Sequence, residues 1–204
     1  MTHTNHRRGD RDSLRSDWVL LARVSRLVPE QREGAPSKFR ELLKTVEKHG
    51  PLCLMARDVS KGREQDTPWM PVRHYMGAGT PLRDIASTVK NPMYVHAVFA
   101  ERANLEGALR DIKNADLGIS VVVSGLFDEV FDICDRLSTG PHTVNLSLGV
   151  MGKSELLPEE EILEITTMCG HAMISEHLTR TMIERVKQDK ITPEDAGIEL
   201  ARQC

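Results

Sequence analysis

The middle of the chain alternates between short apolar runs and amphipathic stretches in a regular order. Residues 94–100 (YVHAVFA) and 119–123 (ISVVV) are apolar and rich in β-branched residues, which is typical of strands. Residues 104–113 and 126–134 carry apolar side chains at helical spacing, and residues 143–150 (TVNLSLGV) alternate as a strand would. The order strand–helix–strand–helix–strand predicts parallel βαβ units with right-handed crossovers.

Upstream of this core, the pattern predicts two helices, a strand and a long loop. Trp18, Leu21, Val24 and Val28 recur at helical spacing and are followed by Pro29, which predicts a helix. A second helix is expected from Ser37 to Gly50, and a strand at 51–59 (PLCLMARDV). Residues 60–80 are interrupted by glycine and proline and predict a loop, followed by a short helix to Val89.

The C-terminal fifth of the chain is predicted to be helical, from Pro158 to Lys187 and again from Thr192 to Cys204. The expected fold is therefore α/β: a small, mostly parallel sheet with a βαβαβ core at about 94–150, followed by a C-terminal α-helical segment. We divide the chain into a disordered arm at 1–16, an α/β domain at 17–157 and a helical segment at 158–204. That segment packs on the domain or on a partner subunit.

Composition narrows the class of protein. The net charge of −3 gives no electrostatic reason to expect nucleic acid, and no apolar run reaches the roughly 20 residues that span a membrane. The four cysteines lie far apart in the chain, which argues for reduced thiols rather than a disulfide framework. We therefore expect a cytoplasmic protein that binds neither nucleic acid nor a membrane.

A parallel sheet would create a binding edge for an anionic small molecule. Ligands of open α/β sheets bind beyond the carboxyl ends of the strands, and six residues would lie there: Arg102, Ser124, Gly125, Gly149, Gly152 and Lys153. Free backbone N–H groups after Gly125 and the cations of Arg102 and Lys153 suit phosphate or carboxylate. The alternative is ordinary strand-to-loop transitions with solvated charges. Gly152-Lys153-Ser154 is not a P-loop, because Ser147 stands where its first glycine is required.

Cys169-Gly170-His171 is the most chemically specific element. On an unbroken helix the two side chains point about 200° apart, so they would pack on separate apolar stripes. Glycine costs about 1 kcal/mol inside a helix relative to alanine and commonly ends one. If Gly170 interrupts the helix, the thiol and the imidazole can converge. With Cys204 as a further ligand, they would hold a transition metal or an iron–sulfur cluster.

Four classes of function remain open. The first is a metal- or iron–sulfur-binding protein centred on Cys169 and His171, and the second is a small-molecule-binding or regulatory module without metal. The third is an enzyme with Cys169 as nucleophile and His171 as base. The fourth is an assembly role, in which the apolar stripes between Ile162 and Val186 join copies into a homo-oligomer through the C-terminal helices. No motif is specific enough to name a reaction or a substrate.

Overall fold

The computed structural model describes residues 7–23, 34–58 and 72–203. The chain divides into two compact units, residues 15–123 (the sheet unit) and residues 1–14 with 124–204 (the C-terminal unit). Among the described residues, no helix is both long and apolar enough to cross a membrane. The elements in chain order are α1 (Arg11–Leu14), β1 (Trp18–Arg23), α2 (Ala35–Glu47), β2 (Cys53–Asp58), β3 (Val72–Tyr75), β4 (Ala78–Gly79), α3 (Ile85–Thr88), β5 (Pro92–Phe99), α4 (Arg102–Ala115), β6 (Val121–Ser124), α5 (Phe127–Arg136), α6 (Glu160–Thr166), α7 (Glu176–Lys187) and α8 (Pro193–Ala201).

The six strands form one antiparallel sheet, in the order β4-β3-β2-β5-β1-β6. Strand β5 lies between β1 and β2 and is antiparallel to both, with Val98 opposite Val19 on one side and Cys53 on the other. Helix α2 therefore connects two strands that are not neighbours, and α4 connects β5 to β6 across β1. This is a pair of split β-α-β motifs. The prediction of a mostly parallel sheet is wrong, because an antiparallel strand lies between the two strands that each helix joins: β5 between β1 and β2, and β1 between β5 and β6.

Residues 18–23, which the sequence predicted to be the start of a helix, form strand β1 instead. Its residues Trp18 to Ala22 are all buried, as in a strand that is covered on both faces. The helical spacing of Trp18 and Leu21 is a by-product of this continuous apolar run, since any such run also contains pairs three residues apart. Val24 and Val28, on which the predicted helix also depended, lie outside the described residues.

Helices α2 and α4 cover one face of the sheet. Helix α2 buries an apolar stripe at helical spacing, made of Phe39, Leu42, Leu43 and Val46. In β5, Val95, Ala97 and Phe99 are fully buried while the residues between them are half-buried. This alternation places those three side chains under the two helices, both of which contact β5. The core of the sheet unit therefore forms between β5 and the helices.

A β-hairpin occupies part of the predicted loop at 60–80. Strands β3 and β4 pair through His74 opposite Gly79, with Met76 and Gly77 as the two-residue turn. Both turn residues have positive φ, 45° and 82°, which is the backbone that two-residue hairpins favour. The rest of that predicted loop, residues 59–71, lies outside the described residues.

Two further elements of the C-terminal half differ from the prediction. Residues 143–150 form no strand, and the structure assigns the whole stretch 141–151 to neither helix nor strand. The predicted helical stretch at 158–187 is two helices, α6 and α7, joined by residues 167–175. The third strand of the predicted βαβαβ core is therefore absent, although its alternating pattern is as regular as that of any strand in the sheet.

Helices α6, α7 and α8 enclose a small apolar core in the C-terminal unit. It contains Cys169, Ile174, Met182, Ala196 and Leu200. The Thr192 hydroxyl accepts a hydrogen bond from Asp195 N at 3.1 Å, which confirms the predicted capped start of the last helix.

Residues of the N-terminal stretch dock on α6. Arg8 Nη2 lies 2.6 Å from Glu160 Oε2, and Arg8 N donates to Thr167 Oγ1 at 2.9 Å. The Arg8–Glu160 pair is exposed, so it adds little to stability by itself. It lowers the pKa of the Glu160 carboxyl, mainly through the hydrogen bond from Arg8. Residues 1–6 of the predicted arm lie outside the described residues.

Gly107 allows α2 and α4 to approach each other. The His49 ring, two residues beyond the end of α2, lies over Gly107, and its Nε2 hydrogen-bonds Asp111 Oδ2 at 3.0 Å. A Cβ at position 107 would lie 2.7 Å from His49 Nδ1, well inside van der Waals contact. The glycine thus makes room for an imidazole that bridges the two helices.

Gly107→Ala tests this contact. A helical Gly→Ala change ordinarily stabilises by about 1 kcal/mol, but here the imidazole must swing away and lose Asp111. We expect no gain in the free energy of unfolding in the wild type, and recovery of about 1 kcal/mol when Gly107→Ala is made in a His49→Ala background. Urea unfolding of the four proteins measures both effects, and equal effects in the two backgrounds would contradict this account.

Candidate functional site

The six predicted anion-site residues are divided between the two units. Arg102 is the first residue of α4 in the sheet unit, whereas the other five belong to the C-terminal unit. Gly149, Gly152 and Lys153 lie in one exposed stretch that follows no strand. The six residues were grouped on the assumption that neighbouring strands are parallel, and in this sheet neighbouring strands are antiparallel and end at opposite edges, so that basis for the site is lost. Binding of an anion by these six residues stays a prediction.

A different cationic feature lies in the sheet unit. Lys44, Glu47 and Lys48 of the last turns of α2 and the stretch Pro81–Arg83 line an open groove of about 600 Å³. Three cationic residues therefore line one groove, chiefly through their apolar atoms, with Glu47 as the acidic lining residue. Burial raises the pKa of Glu47, and the negative charge of Asp84 raises it further. The sequence carries only a weak signal for this groove, since Lys44 and Lys48 resemble any solvated helix face.

The chain does interrupt its helix around Gly170, but the thiol and the imidazole lie in different environments. Helix α6 ends at Thr166, and Ala172 adopts a left-handed φ of 54° within the connection to α7. Cys169 is only 7% exposed and packs in the apolar core of α7 and α8, whereas His171 is exposed. Cys169 thus resembles a small apolar core residue.

No metal-binding group is formed by the part of the chain that the structure describes: nowhere do three His, Cys, Asp or Glu side chains come together as ligands would. Cys204, the third predicted ligand, lies outside the described residues. A metal or iron–sulfur cluster at Cys169, His171 and Cys204 therefore stays a prediction, and the packing of Cys169 does not favour it.

The other two described thiols are held in the neutral form. Burial raises the pKa of Cys53 to about 11, against the opposing positive charge of Arg73. Burial also raises the pKa of Cys134, and the negative charge of Asp135 adds to the effect. Because the thiolate is the nucleophile, both thiols are poorly reactive at neutral pH.

Exposed apolar side chains are concentrated in one unit. Among the described residues, thirteen large apolar side chains are exposed, and all but Leu52 and Met76 belong to the C-terminal unit; these eleven are Phe127, Phe131, Val144, Leu146, Leu148, Val150, Met151, Leu156, Leu157, Met168 and Met173. The rings of Phe127 and Phe131 stack with their centroids 5.7 Å apart. The sequence predicted that Leu146 and Leu148 would lie in a strand of the sheet.

Comparison with known proteins finds no matching protein family, no matching curated protein and no matching solved structure. The function is therefore inferred from the residues and their geometry alone.

Cys169→Ser and His171→Ala separate a core thiol from a metal ligand. We expect Cys169→Ser to lower the free energy of unfolding by about 1–2 kcal/mol, because a hydroxyl is buried among aliphatic side chains. His171→Ala, at an exposed position, should change it by less than about 0.5 kcal/mol. Urea unfolding and elemental analysis of protein purified without oxygen measure the outcome. Equal losses of stability and of bound metal in both variants would instead indicate a shared metal.

Proposed function

We propose that this protein is an assembly module, whose C-terminal unit binds another polypeptide through its exposed apolar side chains. The observation that carries the proposal is the segregation of eleven such side chains in that unit. Exposed apolar residues scattered over a surface are ordinary, but a concentration of them marks an interaction surface. Methionine and aromatic side chains, here Met151, Met168 and Phe131, are typical of protein–protein contacts.

The contacting residues lie mainly between helices rather than on them. The stripes of α6, α7 and α8 are turned toward one another, with Ile162 and Met182 buried. The exposed residues lie instead on α5, in the stretch 144–157 and in the connection 167–175. We therefore place the proposed contact on these segments and not on the helical stripes that the sequence suggested for a homo-oligomer.

Leu146→Ser with Leu148→Ser tests the proposed function in the full-length chain. These side chains are 65% and 88% exposed, so their loss should leave the fold of the single chain intact. The wild type should sediment, purified or in extract of its own cells, as a species larger than 22.9 kDa. The double variant should shift toward a single chain.

The matched control is Leu52→Ser with Met76→Ser, at the two exposed apolar positions of the sheet unit. This variant should keep the size of the wild-type species. A wild type that runs as one chain in both preparations would contradict the proposed function.

A second candidate function is binding of an anionic small molecule, favoured by the cationic groove of the sheet unit. Lysine and arginine are the side chains that suit phosphate or carboxylate, and three of them line this groove. The groove is independent of the six residues predicted from the sequence, so the two sites can be told apart by mutation.

Inorganic phosphate should raise the thermal midpoint if the groove binds anions, since a ligand at 100 times its Kd adds about 2.7 kcal/mol of stability. We expect Lys48→Ala and Arg83→Ala to abolish this shift, while Arg102→Ala and Lys153→Ala keep it. The reverse result would favour the site predicted from the sequence, and no shift in the wild type would remove this candidate.

A further inference from the structure

The exposed stretch 144–150 (VNLSLGV) is symmetric in its apolar positions. Ser147 is at the centre, leucine lies on either side of it at 146 and 148, and valine lies two residues further out at 144 and 150. When two identical strands pair antiparallel about a twofold axis, residue i of one copy lies opposite residue j of the other, with i + j constant. Pairing centred on Ser147 would therefore place leucine opposite leucine and valine opposite valine.

Four residues of this stretch have backbone groups that are available for such pairing. Residues 143–150 are assigned to neither helix nor strand. Val144, Leu146, Leu148 and Val150 make no backbone hydrogen bond to the rest of the described chain. In an extended chain these four side chains point to one side, because successive side chains alternate. These four residues thus present both strand-forming backbone groups and an uncovered apolar face.

The charge pattern favours a second copy as the partner. Leu137 to Gly152 contains no Asp, Glu, Lys or Arg over sixteen residues, in a chain that is 28% charged. Near a twofold axis each residue lies close to its own copy, so a charge near the centre would be close to a like charge and would oppose pairing. An uncharged symmetric strand has no such penalty, whereas binding to a charged partner would gain from complementary charges.

We propose that two copies of this chain pair antiparallel through residues 144–150, about a twofold axis at Ser147. The inference rests on the proposed assembly function and names its partner as a second copy. In this register Leu146 of one copy lies opposite Leu148 of the other, and Val144 lies opposite Val150. A two-stranded ribbon alone is marginal in water, so other exposed apolar side chains of the same unit, such as Leu156 and Leu157, would have to cover it.

Gly149 reconciles the observed backbone with a paired strand. Its φ is 89°, so the stretch is not fully extended at this residue in the single chain. Glycine populates positive and negative φ about equally, so Gly149 can become extended on pairing with little steric cost. A Cβ at Gly149 would meet nothing within 4 Å, so packing does not hold the residue in its present conformation. Its N–H donates one local hydrogen bond, to Ser147 Oγ at 3.1 Å.

Cysteine cross-linking in the full-length chain tests the register. Ser147→Cys should give a disulfide-linked dimer under mild oxidation, because directly opposite Cα atoms lie about 4.5–5.5 Å apart, within the range of a disulfide. Asn145→Cys is the matched control: its two copies would be four residues out of register, about 13 Å apart. A mixture of Thr143→Cys and Met151→Cys chains should cross-link with each other. The wild type reports any contribution of the native cysteines.

Sedimentation equilibrium supplies an independent readout. Leu146→Glu with Leu148→Glu brings four carboxylates together across the axis and should raise the dimer Kd by at least 100-fold. Met168→Glu with Met173→Glu, exposed in the same unit but outside the stretch, should leave the Kd within a few-fold of wild type. Single Leu146→Lys and Leu148→Glu chains, when mixed, should form a heterodimer tighter than either homodimer.

The outcomes separate this inference from the proposed function. If the protein forms a larger species but Ser147→Cys cross-links no better than Asn145→Cys, the twofold pairing is overturned and the assembly function stands. The contact would then be made by another surface, such as the edge strand β6 of a partner, or by another protein. A wild type that is a single chain at all concentrations and in cell extract overturns both.

Discussion

The antiparallel insertion of β5 between β1 and β2 is the constraint on which the sheet unit depends. Each flanking strand pairs with β5 along its length, and the fully buried side chains of Val95, Ala97 and Phe99 form the surface on which α2 and α4 pack. Because α2 must cross over β5 to join its two strands, the two helices lie on one face, and Gly107 then becomes necessary to admit the His49 ring between them. The fold class, the helix packing and the loss of a parallel-strand binding edge all follow from this one pairing.

The two units differ in how they use apolar residues. The sheet unit covers its aliphatic strands with helices and, within the described residues, exposes only Leu52 and Met76 among its large apolar side chains. The C-terminal unit closes a small core around Cys169 and Met182 and leaves eleven large apolar side chains exposed. A chain with this distribution has apolar surface that it does not cover itself, and the proposed function assigns that surface to a second polypeptide.

The metal, enzyme and anion-binding functions that the sequence suggested are disfavoured for separate physical reasons. A thiol packed among aliphatic side chains has little access to a ligand or a substrate, which is the position of Cys169. Burial keeps the Cys53 and Cys134 thiols neutral. The anion-site residues were grouped by a rule that holds for parallel sheets. Because this sheet is antiparallel, the rule does not apply to it, and the residues have lost the reason for which they were grouped. The groove beside Lys44 and Lys48 depends on the approach of residues 81–83 to α2, which no local pattern encodes.

Local pattern was sufficient for most element types: α2, β2, β5, α4, β6, α5 and the Thr192-capped α8 all lie within a few residues of their predicted positions. It failed where one pattern is compatible with two structures. The buried run at Trp18–Ala22 also contains a helical spacing, and the alternating residues at 143–150 form no strand because they have no neighbouring strand to pair with. Strand order, the sheet's antiparallel sense and the burial of Cys169 away from His171 required the folded chain. They depend on which distant segments hydrogen-bond and exclude water together, and periodicity carries no information about partners that are far apart in sequence.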